Sequence, residues 1–278
     1  MTRLARWAAV LGLTLMASVS GCDRGSSAQP PGCAIPTAPP AGAYAPSGSA
    51  PGGGGLVVVD HGFTEVGGRF NVSLGGLVRN TSEKIAYRTE VRLRITDGQG
   101  RDAVHPSQAA WLLQEIPVIR PGEVAAIGVT LNTRTDVSPD ETPDRVTSFA
   151  VKLGSSTWLP VEDGAWFPAF PVTVERIERN GAASVDGGVR YSVASTACRQ
   201  MIARGTGAVF LDKSGAVVGG LIDVAGGAIH CGKSGFTDKT VASDIPLGID
   251  EAKTVVTEYC DVAKSQWGVY RPSGAPIN

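Results

Sequence analysis

Histidine is scarce in this chain of 278 residues: there are three, His61, His105 and His230. No Gly-x-Ser-x-Gly elbow occurs, which removes the strand-turn-helix nucleophile on which one large class of hydrolases is built. No Cys-x-x-Cys or His-x-x-x-His pair occurs either, so a structural zinc finds no ligands at its usual spacing. Charge is thin, at 18% of residues, and Lys plus Arg (25) do not exceed Asp plus Glu (26). That balance excludes the basic excess by which nucleic-acid binders hold phosphates. Beyond Val19 no apolar run approaches the roughly 20 residues of a membrane-spanning helix.

Turn formers are abundant instead. Glycine reaches 36 and proline 18. With so few charges, that composition suits an extracellular, strand-rich protein better than a helical one.

The N-terminus has its own pattern. Arg3 and Arg6 are the only charges before Cys22, Trp7 to Val19 is mostly apolar, and Val19-Ser20-Gly21-Cys22 follows. An apolar run of this length is a signal-peptide core and too short to span a bilayer well. The arrangement resembles the signal peptide and lipobox of bacterial lipoproteins. The resemblance implies that residues 1–21 are removed, that the Cys22 thiol carries a diacylglyceryl group, and that the new amine is often acylated. One acyl chain binds a membrane only marginally, at ~0.8 kcal/mol per buried CH₂, whereas two or more hold firmly. It places the protein at the cell membrane, lipid-anchored, on the extracytoplasmic face. In some Gram-negative species an aspartate after the cysteine, here Asp23, retains the lipoprotein in the inner membrane.

Residues 22–55 are a linker. They are dominated by Gly, Pro, Ser and Ala and close on Gly52-Gly53-Gly54-Gly55. Such a segment buries too little apolar surface to offset its ordering entropy, so disorder is expected. As a coil it would reach ~30 Å, and up to ~100 Å in polyproline geometry.

Cys33, Cys198, Cys231 and Cys260 remain, an even number suited to an oxidising compartment. Four cysteines allow three connectivities, and a partial pairing that leaves Cys33 in the linker is equally open.

Two folded regions come next, 56–165 and 166–278. In the first, Phe70, Val72 and Leu74 alternate with polar residues, as do Val91, Leu93 and Ile95. Asp97-Gly98-Gln99-Gly100 and Pro121-Gly122 are turns, and Ser107 to Glu115 is a short helix bracketed by Pro106 and Pro117. In the second, strands are expected at Val172 to Ile177, Val189 to Ala194, Ala208 to Leu211, Ala216 to Val218 and Thr254 to Tyr259, with a hairpin turn at Lys213-Ser214-Gly215. Strands at this spacing predict antiparallel sandwiches.

The regions also echo each other. Gly76 to Thr81 aligns with Tyr191 to Thr196, and Leu93 to Asp97 aligns with Ala208 to Asp212 at the same offset. Further on, Ile116-Pro117 is matched to Ile245-Pro246. The first region, through Gly76 to Thr81, Leu93-x-Ile95-Thr96-Asp97 and Pro121-Gly122-Glu123, resembles the FxLYD-type domains of bacterial envelope lipoproteins. The Phe and Tyr of the name-giving motif are absent, and the second region keeps only Asp212 and Gly215. The resemblance implies an all-β protein with two tandem immunoglobulin-like antiparallel β-sandwiches, and no catalytic site.

Candidate chemistry is sparse. Gly227 to Ser234 fits the phosphate-loop pattern G-x-x-x-x-G-K-[ST], but no amphipathic helix follows it. His230 with Cys198, Cys231 and Cys260 can be drawn as a metal site, although cysteines about 30 residues apart fit disulfides better. His61 and His105 are expected to be exposed loop residues. The sequons Asn71-Val72-Ser73 and Asn80-Thr81-Ser82 are read as strand and turn, and Trp111, Trp158 and Trp166 as core or junction residues. The expectation is therefore a non-catalytic, membrane-anchored envelope module without cofactor or metal. Its partners would be the membrane, through the lipid on Cys22, and an envelope protein or glycan, with no nucleic acid. An exported hydrolase with its site around His230 is the alternative.

Overall fold

Apolar and polar residues alternating at period two, cut by Gly and Pro, yield strands and short 3₁₀ turns. The computed structural model describes residues 55–67, 71–133, 145–181, 184–195, 197, 201–224, 230–231, 236–242 and 244–261, with Asp163, Ala165, Trp166, Ile202, His230 and 236–242 described by backbone alone. The first set of strands is β1 (Leu56–Val66), β2 (Asn71–Asn80), β3 (Ile85–Asp97), β4 (Leu113–Ile119), β5 (Val124–Asn132), β6 (Val146–Leu153) and β7 (Thr157–Leu159). The second is β8 (Val172–Arg179), β9 (Gly187–Val193), β10 (Met201–Leu211), β11 (Val217–Asp223), β12 (His230–Cys231), β13 (Phe236–Ala242) and β14 (Val255–Asp261). The protein is all-β, and every ladder is antiparallel.

The two sets are wired alike. In the first, β1-β2-β5 is one sheet and β4-β3-β6 the other, with β7 also on β3. In the second, β8-β9-β13 is one sheet, and β10 pairs with β11, β12 and β14 in the other. Counting β12 as a continuation of β11, the pairing order is the same. Among the described residues no ladder joins the two sets. The turns after β3 and β10 match atom for atom. Asp97 N–H donates to Arg101 O and Gly100 N–H to Asp97 O, while Asp212 N–H donates to Ala216 O and Gly215 N–H to Asp212 O. The Asp97 carboxylate accepts the Gln99 and Arg101 N–H groups, and the Asp212 carboxylate accepts the Ala216 N–H. Gly100 (φ 77°) and Gly215 (φ 91°) take the left-handed position that a side chain would disfavour.

Topology corrects one alignment. Ile116-Pro117 lies in β4, whose counterpart is β11, whereas Ile245-Pro246 lies after β13. The helix expected over Ser107 to Glu115 is a 3₁₀ turn, Pro106–Leu112, and β4 begins at Leu113. Pro117 is tolerated inside β4 because β4 is an edge strand of its sheet.

Each sandwich has its own core. Val72, Leu74, Leu93, Ile95, Ile127 and Leu131 fill the first, and Val189, Tyr191, Phe210, Leu221, Ile245 and Val256 the second. The sandwiches then stack, so that β2 is buried on both faces. Its second face meets β11, and there the sheets come together backbone to backbone. A Cβ on Gly75 would lie 2.1 Å from the Gly219 carbonyl oxygen, and one on Gly128 would lie 2.6 Å from the Leu221 nitrogen. Ordinary sheets stack about 10 Å apart because side chains fill the gap; at these glycines nothing stands between the two backbones. Leu77, Ala126, Val209 and Val217 form a small apolar cluster within it.

Candidate functional site

The stacking leaves polar backbone at the sheet edges, and side chains from the opposite sandwich close it. The outer edge of β11 is satisfied from the first set: Val217 N–H donates to Asp60, Thr64 hydroxyl donates to Val218 O, and the Ser73 hydroxyl donates to Gly220 O while accepting Gly220 N–H. The outer edge of β5 is satisfied from the second set, since Ala126 N–H donates to Thr257 Oγ1 and the Tyr259 hydroxyl donates to Ala126 O. Buried backbone groups left unmet would be costly, so these side chains are as necessary to the junction as its apolar contacts.

Beyond the seam lies a charged clasp. β3 and β10 each become irregular near their starts, but only β10 shifts register. The β3–β4 ladder skips Arg88, which takes φ 53°, and the β10–β14 ladder skips Arg204, followed by Gly205 at φ 127°. At each of these two places an arginine meets an acid of the other sandwich. Arg88 Nη2 lies 3.3 Å from Asp261 Oδ2 on β14, and Arg204 Nη2 lies 4.0 Å from Glu115 Oε1 on β4. The Tyr87 hydroxyl donates to Asp261 Oδ1 at 3.1 Å and accepts from Arg88 Nε at 3.1 Å. Burial disfavours the charge on Arg88, but Tyr87, Asp261 and Glu115 more than compensate and its pKa rises. Burial, reinforced by Asp261, pushes the Tyr87 phenol far up, so it stays a hydrogen-bond donor at any ordinary pH.

An apolar cluster backs the clasp and draws on both sets: Ile85, Tyr87, Leu159 and Phe167 meet Ala197, Met201, Cys231 and Cys260. Cys231 and Cys260 are joined in a disulfide that ties β12 to β14. Glu258 is buried beside it and accepts hydrogen bonds from Tyr191 (3.0 Å) and Thr206 (2.8 Å). Both sulfurs and a Glu258 oxygen lie within 4.8 Å of one another. A metal would need the sulfurs as thiolates, and here they are spent on each other. A cleft of about 30 Å³ opens next to this group, with Arg120, Pro117, Phe167, Phe170 and Met201 in its wall.

The remaining candidates divide clearly. Cys22, Cys33 and Cys198 lie outside the described residues. His230 lies on β12 opposite Ile202. Most of Gly227 to Ser234 is outside the described residues, but the next element is the strand β13, where a phosphate loop requires a helix. His61 is on strand β1, not in a loop, with its ring edge-on to Phe149 at 5.5 Å. His105 caps the 3₁₀ turn, accepting Ser107 N–H through Nδ1. Asn80 is fully buried: it donates to Lys84 O and Ile119 O and accepts from Ser82, which makes it a turn residue. Trp111 and Trp158 pack against the first core.

The clasp escaped sequence reasoning because Arg88, Glu115, Arg204 and Asp261 look like ordinary solvated charges. The seam did leave a signal. Ser73-x-Gly75, Ala126-x-Gly128 and Gly219-Gly220 put small residues where a solvated sheet face would carry long polar ones. No protein-family model and no curated protein matches the chain.

Proposed function

We propose that this chain is a lipid-anchored envelope protein whose two stacked sandwiches, immunoglobulin-like in kind, act as a non-catalytic binding or envelope-organising module. Residues 1–21 direct export and are removed. Cys22 carries the lipid, and residues 22–55 tether the folded body to the membrane. The observation that carries this reading is the buried Cys231–Cys260 disulfide. Structural disulfides persist in oxidising compartments, so the bond supports export, and Val19-Ser20-Gly21-Cys22 supplies the lipoprotein form of export signal. The FxLYD-type resemblance fits as well. Gly76 lies in β2, Asp97 ends β3, and Pro121-Gly122 precedes β5, the strand and turn positions that such a motif implies.

Wild-type chain and Cys22→Ala, expressed in a bacterial host with labelled palmitate, test the reading. Label should enter only the wild type, which should sediment with membranes, while Cys22→Ala stays unlabelled. A wild-type chain that remains unlabelled, or a Cys22→Ala chain that still takes up label, contradicts it.

A further inference from the structure

The carboxamide of an asparagine can be attacked by the backbone nitrogen of the next residue, which closes a five-membered ring and releases ammonia. Asparagine is among the thermolabile residues for this reason. The attack needs a following residue with no side chain in the way, a nitrogen not held in a hydrogen bond, and a carboxamide free to turn.

The chain has five asparagines, Asn71, Asn80, Asn132, Asn180 and Asn278, and glycine follows Asn180 alone. Asn180 and Gly181 open the loop between β8 and β9, and both are exposed. They lie just outside the last ladder pair of that hairpin, Arg179 with Gly187. The Asn180 N–H donates to Asp186 O. Neither the Asn180 carboxamide nor the Gly181 N–H makes a hydrogen bond among the described residues. Gly181 takes φ 153°. Apart from chain neighbours, the one described atom within 4 Å of the place its Cβ would occupy is Ser184 Cβ, at 3.8 Å. Both reacting groups are therefore open and unheld.

The described alternatives each miss a requirement. Asn71 Nδ2 donates to Asp244 Oδ2 at 3.1 Å, and the next residue, Val72, is branched at Cβ and fully buried. Asn80 is fully buried and bonded through both ends of its carboxamide. Asn132 is exposed, but the buried and β-branched Thr133 follows it.

We propose that Asn180 is a site of spontaneous deamidation. Gly181 N bonds to Asn180 Cγ, the Cγ–Nδ2 bond breaks, and ammonia leaves with the proton that Gly181 N gives up. Water then opens the ring at either carbonyl. One opening yields aspartate, and the other yields isoaspartate, with the main chain running through Cβ. No oxidant, reductant or enzyme takes part. The hairpin gains a negative charge at its loop. Its base stays anchored, because the Arg179 guanidinium donates to the carbonyl oxygens of Ser184, Ile245 and Pro246. The inference goes beyond the binding-module reading and does not depend on the lipid anchor.

The test ages the purified full chain at neutral and mildly alkaline pH and follows its tryptic peptides by liquid chromatography and mass spectrometry, with an unaged sample to correct for handling. The peptide that carries Asn180 should convert into two products, each heavier by the mass difference between a hydroxyl and an amino group, and faster at the higher pH. Peptides carrying Asn71, Asn80 and Asn132 should stay unchanged over the same period. Asn180→Gln, which must close a larger ring, and Gly181→Ala should each slow the conversion by about tenfold or more. Thermal melts establish that the variants fold. Alanine is strained at the Gly181 φ, so Asn180→Gln decides if Gly181→Ala does not fold. An Asn180 that keeps its amide, that converts no faster than Asn132, or whose rate is unchanged in a folded variant overturns the proposal.

Discussion

Single residues decide how closely the two sandwiches approach. Gly75 and Gly100 make the contrast. Alanine at Gly100 meets open space and suffers only from its positive φ, a penalty of about 1–2 kcal/mol. Alanine at Gly75 would drive its Cβ into the Gly219 carbonyl, and the sheets must part to admit it. Overpacking of this kind costs about 3 kcal/mol or more. Urea denaturation of the two variants should therefore rank Gly75→Ala well below Gly100→Ala, and the opposite ranking would count against the seam. Asp97 offers a second residue-scale test. Desolvation works against its ionisation, but the Arg101 side chain and the N–H groups of Arg101 and Gln99 outweigh it, lowering the carboxyl from 3.8 to about 2. A depressed carboxyl pKa stabilises the fold above its unfolded value, and that contribution fades as pH falls from about 4 toward 2. Asp97→Asn should thus be less stable at neutral pH and lose less between pH 4 and pH 2. An unchanged acid slope would show that the turn does not depend on this charge.

Whole elements carry the clasp. A positive-φ residue in β3 and a bulge in β10, strands that correspond between the repeats, each bring an arginine to the other sandwich, and the acids come back from β14 and β4. Removing one member of a buried pair strands the other, at about 3–5 kcal/mol. Arg88, at 18% side-chain exposure, belongs at the low end, with Asp261 at 3%. Arg88→Met should destabilise by about 3 kcal/mol, and Asp261→Leu should do less harm in that background than alone. Strictly additive effects in the double-mutant cycle would mean the pair is not coupled. This element-level organisation was only partly legible beforehand. Period-two alternation marked β3, and the Asp-x-x-Gly turns marked the ends of β3 and β10, because both signals are local. Strand β10 runs from Met201, yet only Ala208 to Leu211 stood out, since Arg204, Gly205 and Gly207 interrupt the apolar pattern. Those interruptions are the bulge and the close approach to Ala126, features set by the partner sandwich. The pairing of Cys231 with Cys260 was likewise out of reach, because it depends on β12 and β14 flanking the same strand.

At the scale of the molecule, one sandwich topology occurs twice and the copies are fused along a seam whose glycines let backbone meet backbone. The described residues belong to one compact unit, and both copies line the junction cleft. On the proposed reading this body hangs from a lipid by residues 22–55, which sets how far from the membrane it can search. On that reading the fold and the anchor meet in one covalent description of the mature protein, a chain that would start at Cys22 and bear diacylglycerol while holding Cys231 and Cys260 as a disulfide. Intact-mass spectrometry of protein purified from membranes under non-reducing conditions reads all three features together. The account predicts the mass of residues 22–278 plus the lipid, less the hydrogens lost on forming the disulfide. A mass that includes residues 1–21, or one for residues 22–278 with no lipid, would contradict it.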